Sequence, residues 1–127
     1  MEPSTTDQNS WAIRIDLNIP AQDIADMLTT ALEGGIEYWG RAEMPKNTRT
    51  KRRYLSDALG LDRHPLVIVE SIDEGPEPRH ILDKDALIQG LTKYIARYGW
   101  PANLGDLDAE QADIIVQLSI FGEVVYG

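Results

Sequence analysis

Hydrophobic and polar residues alternate strictly near the start of the chain. Over residues 11–19 every second residue is a tryptophan, isoleucine or leucine, and smaller or polar residues lie between them. A period of two with β-branched residues predicts a strand with one buried face, and Pro20 ends it. Over residues 21–33 the apolar spacing changes to three and four residues, which predicts an amphipathic helix. The two glycines that follow are expected to form its C-terminal cap.

The middle of the chain carries short strand patterns. Residues 36–43 predict a second strand, and its alternation directs Tyr38 towards the core and Trp39 towards the more polar face. Residues 66–72 and 79–82 flank a turn rich in glycine and proline, which predicts a β-hairpin.

Two helices are predicted in the last third of the chain. Asp83 is expected to cap a helix that runs to about Tyr98, and Asp108 to cap a helix that runs from Ala109 to about Tyr126. The second helix is apolar around almost its whole circumference, so we expect it to be buried. It is either the central helix of the domain or packs one face against another subunit, and both interpretations stay open.

The predicted element order is β-α-β-β-β-α-α, which favours an α+β fold. We expect a small antiparallel sheet of about three to four strands, covered on one face by helices, with a buried C-terminal helix. At 127 residues the chain has the size of one domain. We therefore expect residues 1–10 to be a flexible tail and residues 11–127 to form a single domain.

Composition excludes several classes of function. The chain has no cysteine, which excludes disulfides, a thiolate zinc site and a cysteine nucleophile. It has two histidines, too few for an all-histidine metal site. No stretch resembles a signal peptide or a membrane span, so we expect a cytoplasmic protein. The net charge of −9 opposes generic binding to nucleic acid or to an anionic membrane.

The most distinctive local string is GGIEYWG, over residues 34–40. Its glycines allow close backbone approach and its aromatic residues offer stacking surface, which suits a flat ligand or a protein interface. The string also fits a helix cap followed by two core aromatic residues, and we favour that interpretation over a binding site. On the last helix, the side chains of Asp113 and Gln117 lie one turn apart on the same face. They point either into a ligand pocket or, as we favour, to solvent. The candidate binding residues are Gly34, Gly35, Glu37, Tyr38, Trp39, Arg41, Asp113 and Gln117.

A basic loop interrupts this acidic chain. Five of the 12 basic residues lie within residues 46–53, and residues 54–61 then predict a short helical turn. The basic side chains can contact phosphate or an acidic partner, or form a solvated loop that offsets the acidic remainder, which we favour. The candidate phosphate or acidic-partner contacts are Arg49, Lys51, Arg52 and Arg53.

No catalytic constellation can be assembled from residue spacing. His64 and His80 have no serine or carboxylate at motif distance, and neither a dinucleotide-binding fingerprint nor a P-loop is present. We therefore expect a non-enzymatic protein that holds no metal and no cofactor.

Three strings resemble a known family. The strings ALEGGIEYWGRAE (residues 31–43), DALIQGL (85–91) and LDAEQADIIVQLSIFGEVVYG (107–127) are similar to an uncharacterised family of small phage and prophage proteins. Members of that family pair a GG-x-x-YW segment with a C-terminal DA-x-x-AD…FGE-x-V-YG helix. The resemblance implies a mobile-element protein inside a bacterial host cell, and it implies no activity.

These observations together favour a non-enzymatic phage-type binding protein, such as an anti-defence or host-takeover factor that binds a host protein. We expect it to form a homo-oligomer through the C-terminal helix. Two alternatives stay open: a sponge for a small nucleotide signal, and a virion or assembly component.

Overall fold

The computed structural model describes residues 9–43, 65–101 and 103–127. Within them, a helix and a π-helical turn are followed by three strands, a second helix, a 3₁₀ turn (Leu104–Asp106) and a last helix. The strands form one antiparallel sheet, and side chains from the sheet and the helices pack together in one hydrophobic core. The predicted α+β fold is confirmed.

The sheet has the order β1 (Gly40–Glu43), β2 (Leu66–Glu70) and β3 (Arg79–Leu82). Both pairings are antiparallel, and Ile68 at the centre lies opposite residues of both neighbouring strands. Because β2 and β3 are consecutive antiparallel neighbours joined by residues 71–78, the hairpin predicted from the glycine and proline residues is confirmed. Leu66, Ile68 and Leu82 are fully buried on the helix-facing side.

Ion pairs line the opposite side of the sheet. Arg41 on β1 pairs with Glu77 at 2.8 Å, and Arg79 on β3 pairs with Glu43. Val69 on β2 lies between the two arginines in the register and is 1% exposed. Among the described residues Arg41 and Arg79 flank this side chain, and their long stems can cover apolar surface while the guanidinium groups stay in water.

Helix α1 (Ala21–Thr30) continues into the π-helical turn (Ala31–Gly35), so the predicted amphipathic helix is confirmed. The prediction that the glycine pair caps it in a left-handed conformation is wrong, because neither glycine has a positive φ. Close packing explains the second glycine instead. A Cβ on Gly35 would lie 2.6 Å from the carbonyl oxygen of Ala109.

Both predicted helix caps are confirmed. Asp83 accepts a hydrogen bond from the first turn of α2 (Lys84–Tyr98), and Asp108 forms a capping box with Gln111 at the start of α3 (Ala109–Phe121). Helix α3 ends five residues earlier than predicted, because Gly122 adopts a left-handed conformation with φ 77°. The segment after it, which we call the C-terminal segment (residues 122–127), is not helical.

Helix α3 is the central helix of the domain. It packs against α2, the π-helical turn, α1 and β3, and its middle residues from Ile115 to Leu118 are buried. The crossing with α2 is tight: a Cβ on Gly90 would lie 2.8 Å from the Cα of Ser119. The prediction of a buried C-terminal helix is confirmed, and oligomerisation through it stays a prediction.

The predicted strand over residues 11–19 is wrong. These residues adopt no regular structure, and the side chain of Trp11 is 87% exposed. Alternation defines which face of a strand is buried, but a strand forms only against a neighbouring strand, and no described strand pairs with this segment.

Three predictions fall outside the described residues: the basic loop over residues 46–53, the helical turn over residues 54–61, and the flexible tail over residues 1–10 apart from its last two residues. Of the helices within residues 9–43, 65–101 and 103–127, none has the length and hydropathy needed to cross a membrane.

Candidate functional site

Two polar side chains of α3 are buried in the centre of the domain. Asp113 is 4% exposed and Gln117 is fully buried. They lie one helical turn apart and share a face, as predicted. Our preference for a solvent-facing stripe was wrong, because this face is turned inward towards the turn that precedes β1. Buried polar groups need hydrogen-bond partners, and both residues have them.

The carboxylate of Asp113 accepts three hydrogen bonds. The Tyr38 hydroxyl donates to Oδ2 at 2.5 Å, the Trp39 indole N–H donates to Oδ1 at 2.8 Å, and the Gln117 amide donates to Oδ1 at 2.9 Å. Three donors compensate for the lost hydration of a buried carboxylate. Asp113 therefore joins the GGIEYWG string to α3.

The two aromatic residues have the reverse of the predicted exposure. Trp39 is 2% exposed and Tyr38 is 58% exposed. The prediction used strand alternation, but β1 begins only at Gly40. The preceding residues form a turn in which the carbonyl oxygen of Ile36 accepts bonds from the amides of Trp39 and Gly40, both at 2.9 Å. Because a turn does not alternate, the indole points inward and reaches Asp113.

Gln117 fastens the C-terminal segment to the helix. Its side-chain oxygen accepts hydrogen bonds from the amides of Val125 and Tyr126, both at 2.8 Å. Its side-chain nitrogen donates to the carbonyl oxygen of Tyr126 at 3.2 Å. The segment therefore folds back over the buried face of α3, and the ring of Tyr126 stacks on Trp39 with centroids 5.1 Å apart.

Tyr126 continues the network to the sheet. Its hydroxyl donates to Glu70 on β2, and the other carboxylate oxygen of Glu70 lies 2.6 Å from His80 Nε2. The edge of the His80 ring meets the ring of Phe121, with centroids 4.9 Å apart. The hydrogen bond from Tyr126, followed by that from His80, holds the pKa of Glu70 below its usual range.

Sequence reasoning missed the residues that complete this network. Tyr126 and Phe121 belong to the FGE-x-V-YG string of the family resemblance, which was the available signal for them. Glu70 and His80 carried no motif signal, because their contact depends on the register between β2 and β3.

A cleft of about 430 Å³ opens beside Asp113. The π-helical turn, the start of α3 and the C-terminal segment supply its walls. Burial of the Tyr38 hydroxyl and its hydrogen bond to Asp113 raise the pKa of Tyr38 to about 12, so the hydroxyl stays protonated at neutral pH. The lining residues are Gly34, Gly35, Tyr38, Ala109, Glu110, Asp113, Ile114, Val124, Tyr126 and Gly127.

The cleft gathers half of the predicted binding residues. Four of them, Gly34, Gly35, Tyr38 and Asp113, line it, while Trp39 and Gln117 lie behind it in the core. The remaining two lie elsewhere, since Glu37 is exposed on the turn and Arg41 pairs with Glu77 on the sheet. The predicted basic contacts Arg49, Lys51, Arg52 and Arg53 lie outside the described residues.

The cleft has an acidic and partly aromatic character. Glu110 contributes a carboxylate, Tyr38 an exposed ring, and Ile114 and Val124 apolar surface. Within the three described ranges, no three histidine, aspartate or glutamate side chains come together as metal ligands. The arrangement suits an organic cation with an apolar stem.

Comparisons with known proteins give no family assignment. A scan against protein-family models, a search of curated proteins and a search of solved structures each find no match to the chain. The resemblance to phage and prophage proteins stays a prediction.

Proposed function

We propose that the chain is a non-enzymatic binding protein whose cleft receives a lysine or arginine side chain of a basic partner protein. The observation that carries the proposal is the composition of the cleft, where the Glu110 carboxylate and the exposed Tyr38 ring stand beside the apolar side chains of Ile114 and Val124. A carboxylate and an aromatic face attract the cationic end of such a side chain, and the apolar wall accommodates its stem.

The net negative charge of the protein supports a basic partner. The described residues include 17 acidic and six basic residues, which gives them a net charge of −11 against −9 for the whole chain. Such a field attracts basic proteins over a distance and repels nucleic acids and anionic membranes. A protein that normally binds a polyanion has the required basic surface.

The family resemblance supplies the biological setting of the proposal. In a bacterial host cell, a phage-type protein of this kind would act in the cytoplasm as an anti-defence or host-takeover factor that occupies a basic surface of a host protein.

The two alternatives have less support. The nucleotide sponge would stack a base on Tyr38 and Trp39 and hold phosphate with residues 49–53. Of the two aromatic side chains only Tyr38 is exposed, since Trp39 is buried against Tyr126 and Asp113. The virion component needs an uncovered apolar α3, and this helix is surrounded by elements of its own chain.

Titration of the labelled protein with N-acetyl-arginine amide, followed by NMR, tests the proposal. We expect the arginine probe to cause chemical-shift changes centred on the amides of Gly34, Gly35 and Glu110. N-acetyl-glutamate amide, which has the opposite charge, is the control probe and should not cause these changes. Glu110→Gln should weaken binding of the arginine probe about tenfold, because it removes the charge of the cleft wall.

Glu74→Gln is the matched control for this titration. It makes the same change in charge on the exposed hairpin turn, away from the cleft, and should bind the arginine probe like the wild type. Equal loss of binding in both variants would mean that only the overall charge attracts the probe. Shifts spread over the acidic surface would contradict a defined site.

A further inference from the structure

The N-terminal segment (residues 11–18) displays a row of exposed apolar side chains. Among the described residues, 11 large apolar side chains are exposed, and four of them alternate within this one segment. Scattered exposed apolar residues are ordinary, but a contiguous row indicates an interaction surface. The four are Trp11 at 87%, Ile13 at 77%, Ile15 at 72% and Leu17 at 43% exposure.

The segment has the composition of a strand that lacks its partner. β-branched and aromatic residues on one side and polar residues on the other specify which face is buried, but the backbone needs an open sheet edge to pair with. The sheet offers such an edge, because β1 pairs only with β2 among the described strands.

The side chains of the N-terminal segment match those of β1 in one antiparallel register. With Ile15 opposite Ala42, the outer face brings Arg14 opposite Glu43 and Asp16 opposite Arg41. On the helix-facing side, the large side chain of Ile15 meets the small, half-buried Ala42, and the pairing stops before Gly40, which is buried and donates its amide to Ile36. Both cross-strand charge pairs are then favourable.

Other arrangements fit less well. A parallel pairing that places Arg14 beside Arg41 also places Asp16 beside Glu43, and like charges directly opposite each other are unfavourable. At the other edge of the sheet, the outer face of β3 presents Arg79 and Ile81, so one of the two charges finds no partner. A shift by one residue would turn the apolar row away from the helices.

We propose that the N-terminal segment of one copy pairs in this antiparallel register with β1 of a second copy, and that the exchange is reciprocal. Two-fold exchange of identical elements gives a closed dimer and leaves no free edge to propagate. Pro20, whose ψ of 137° directs the chain away from the axis of α1, is the hinge. The proposal does not depend on the ligand of the cleft.

The first test measures molecular mass by sedimentation equilibrium. The wild type should be a dimer, and the double substitution Ile13→Asp and Ile15→Asp should be a monomer with an unchanged circular dichroism spectrum, since both side chains are exposed within one chain. Ile88→Asp is the matched control, because Ile88 is exposed on α2, and it should stay dimeric. A monomeric wild type, or a dimer that survives the double substitution, overturns the proposal.

The second test determines the register and uses the absence of cysteine from the chain. Single variants Ile15→Cys and Ala42→Cys are mixed, re-equilibrated and oxidised, and they should form a covalent heterodimer. Ile81→Cys replaces Ala42→Cys in the control mixture and should not cross-link. A third protein carries both Ile15→Cys and Ala42→Cys in one chain. A disulfide within that chain, without any between chains, would show that the segment pairs with its own sheet. Absence of cross-linking in a dimer would rule out this register.

Discussion

The indole of Trp39 lies flat against the ring of Tyr126, with centroids 5.1 Å apart and planes at 5°. The two residues are 87 positions apart in the sequence, and the stack joins the turn before β1 to the C-terminal segment. Asp113 holds the polar edge of the indole and Gln117 holds the backbone of Tyr126. Two of the three strings of the family resemblance, residues 31–43 and 107–127, thus meet in one hydrogen-bonded cluster at the back of the cleft.

Replacement of the two neighbouring aromatic residues should have unequal effects on stability. Trp39→Ala removes a buried indole and its hydrogen bond to Asp113, so we expect a loss of about 3–5 kcal/mol in the free energy of unfolding. Tyr38→Ala removes an exposed ring, its hydrogen bond to Asp113 and a long one from Gln117, so we expect a smaller loss of about 1–2 kcal/mol. Chemical denaturation of both variants checks the order. A larger loss for Tyr38→Ala would contradict the assigned faces.

Loss of the Gln117 amide should release the C-terminal segment. Gln117→Leu keeps the approximate volume of the side chain but leaves the amides of Val125 and Tyr126 without an acceptor. Exchange of these two amides with solvent should accelerate about tenfold or more, and stability should fall by about 1–3 kcal/mol. Gln89→Leu, at an exposed position of α2, is the control. Unchanged exchange in Gln117→Leu would mean that aromatic stacking alone holds the segment.

The two adjacent glycines should differ in their tolerance of a methyl group. Gly34 has open space where a Cβ would stand, whereas a Cβ on Gly35 would lie 2.6 Å from the Ala109 carbonyl oxygen. Gly34→Ala should therefore be neutral or stabilising by up to about 1 kcal/mol, and Gly35→Ala should destabilise by about 1–3 kcal/mol. Thermal melts of both variants provide the comparison, and equal effects would contradict the close packing at Gly35.

Local chemistry made several elements predictable from the sequence. Asp83 and Asp108 stand before runs with helical apolar spacing, and each accepts the hydrogen bond expected of a cap. The hairpin followed from its turn residues, and Asp113 and Gln117 shared a face because they are four residues apart. These features depend on neighbours within a few positions.

The failed predictions depended on distant partners. The alternation over residues 11–19 specifies a face but cannot supply a neighbouring strand. The direction of the Trp39 indole is set by Asp113, a residue 74 positions away. The contact of Glu70 with Tyr126 likewise requires the C-terminal segment to fold back, which depends on Gly122 and Gln117 together. No local pattern encodes these contacts.

The bond between Glu70 and Tyr126 should make stability depend on pH in the acidic range. The hydrogen bonds from Tyr126 and His80 lower the pKa of Glu70 in the folded protein below the ordinary value of a glutamate. A carboxylate with a depressed folded pKa stabilises the protein above its unfolded pKa, and this contribution is lost as pH falls through the folded value. We expect Glu70→Gln to cost about 1–2 kcal/mol at pH 7, and the difference from the wild type to shrink below about pH 4.

Melting temperatures of the wild type and Glu70→Gln, measured in steps from neutral to acidic pH, test this dependence on one carboxylate. The control repeats the comparison in the Tyr126→Phe variant. This substitution removes the hydroxyl that donates to Glu70 and leaves the ring stacked on Trp39. In that background Glu70→Gln should cost less at neutral pH, and its effect should vary less with pH. A constant difference between wild type and Glu70→Gln across the range would show that the bond does not favour the ionised carboxylate.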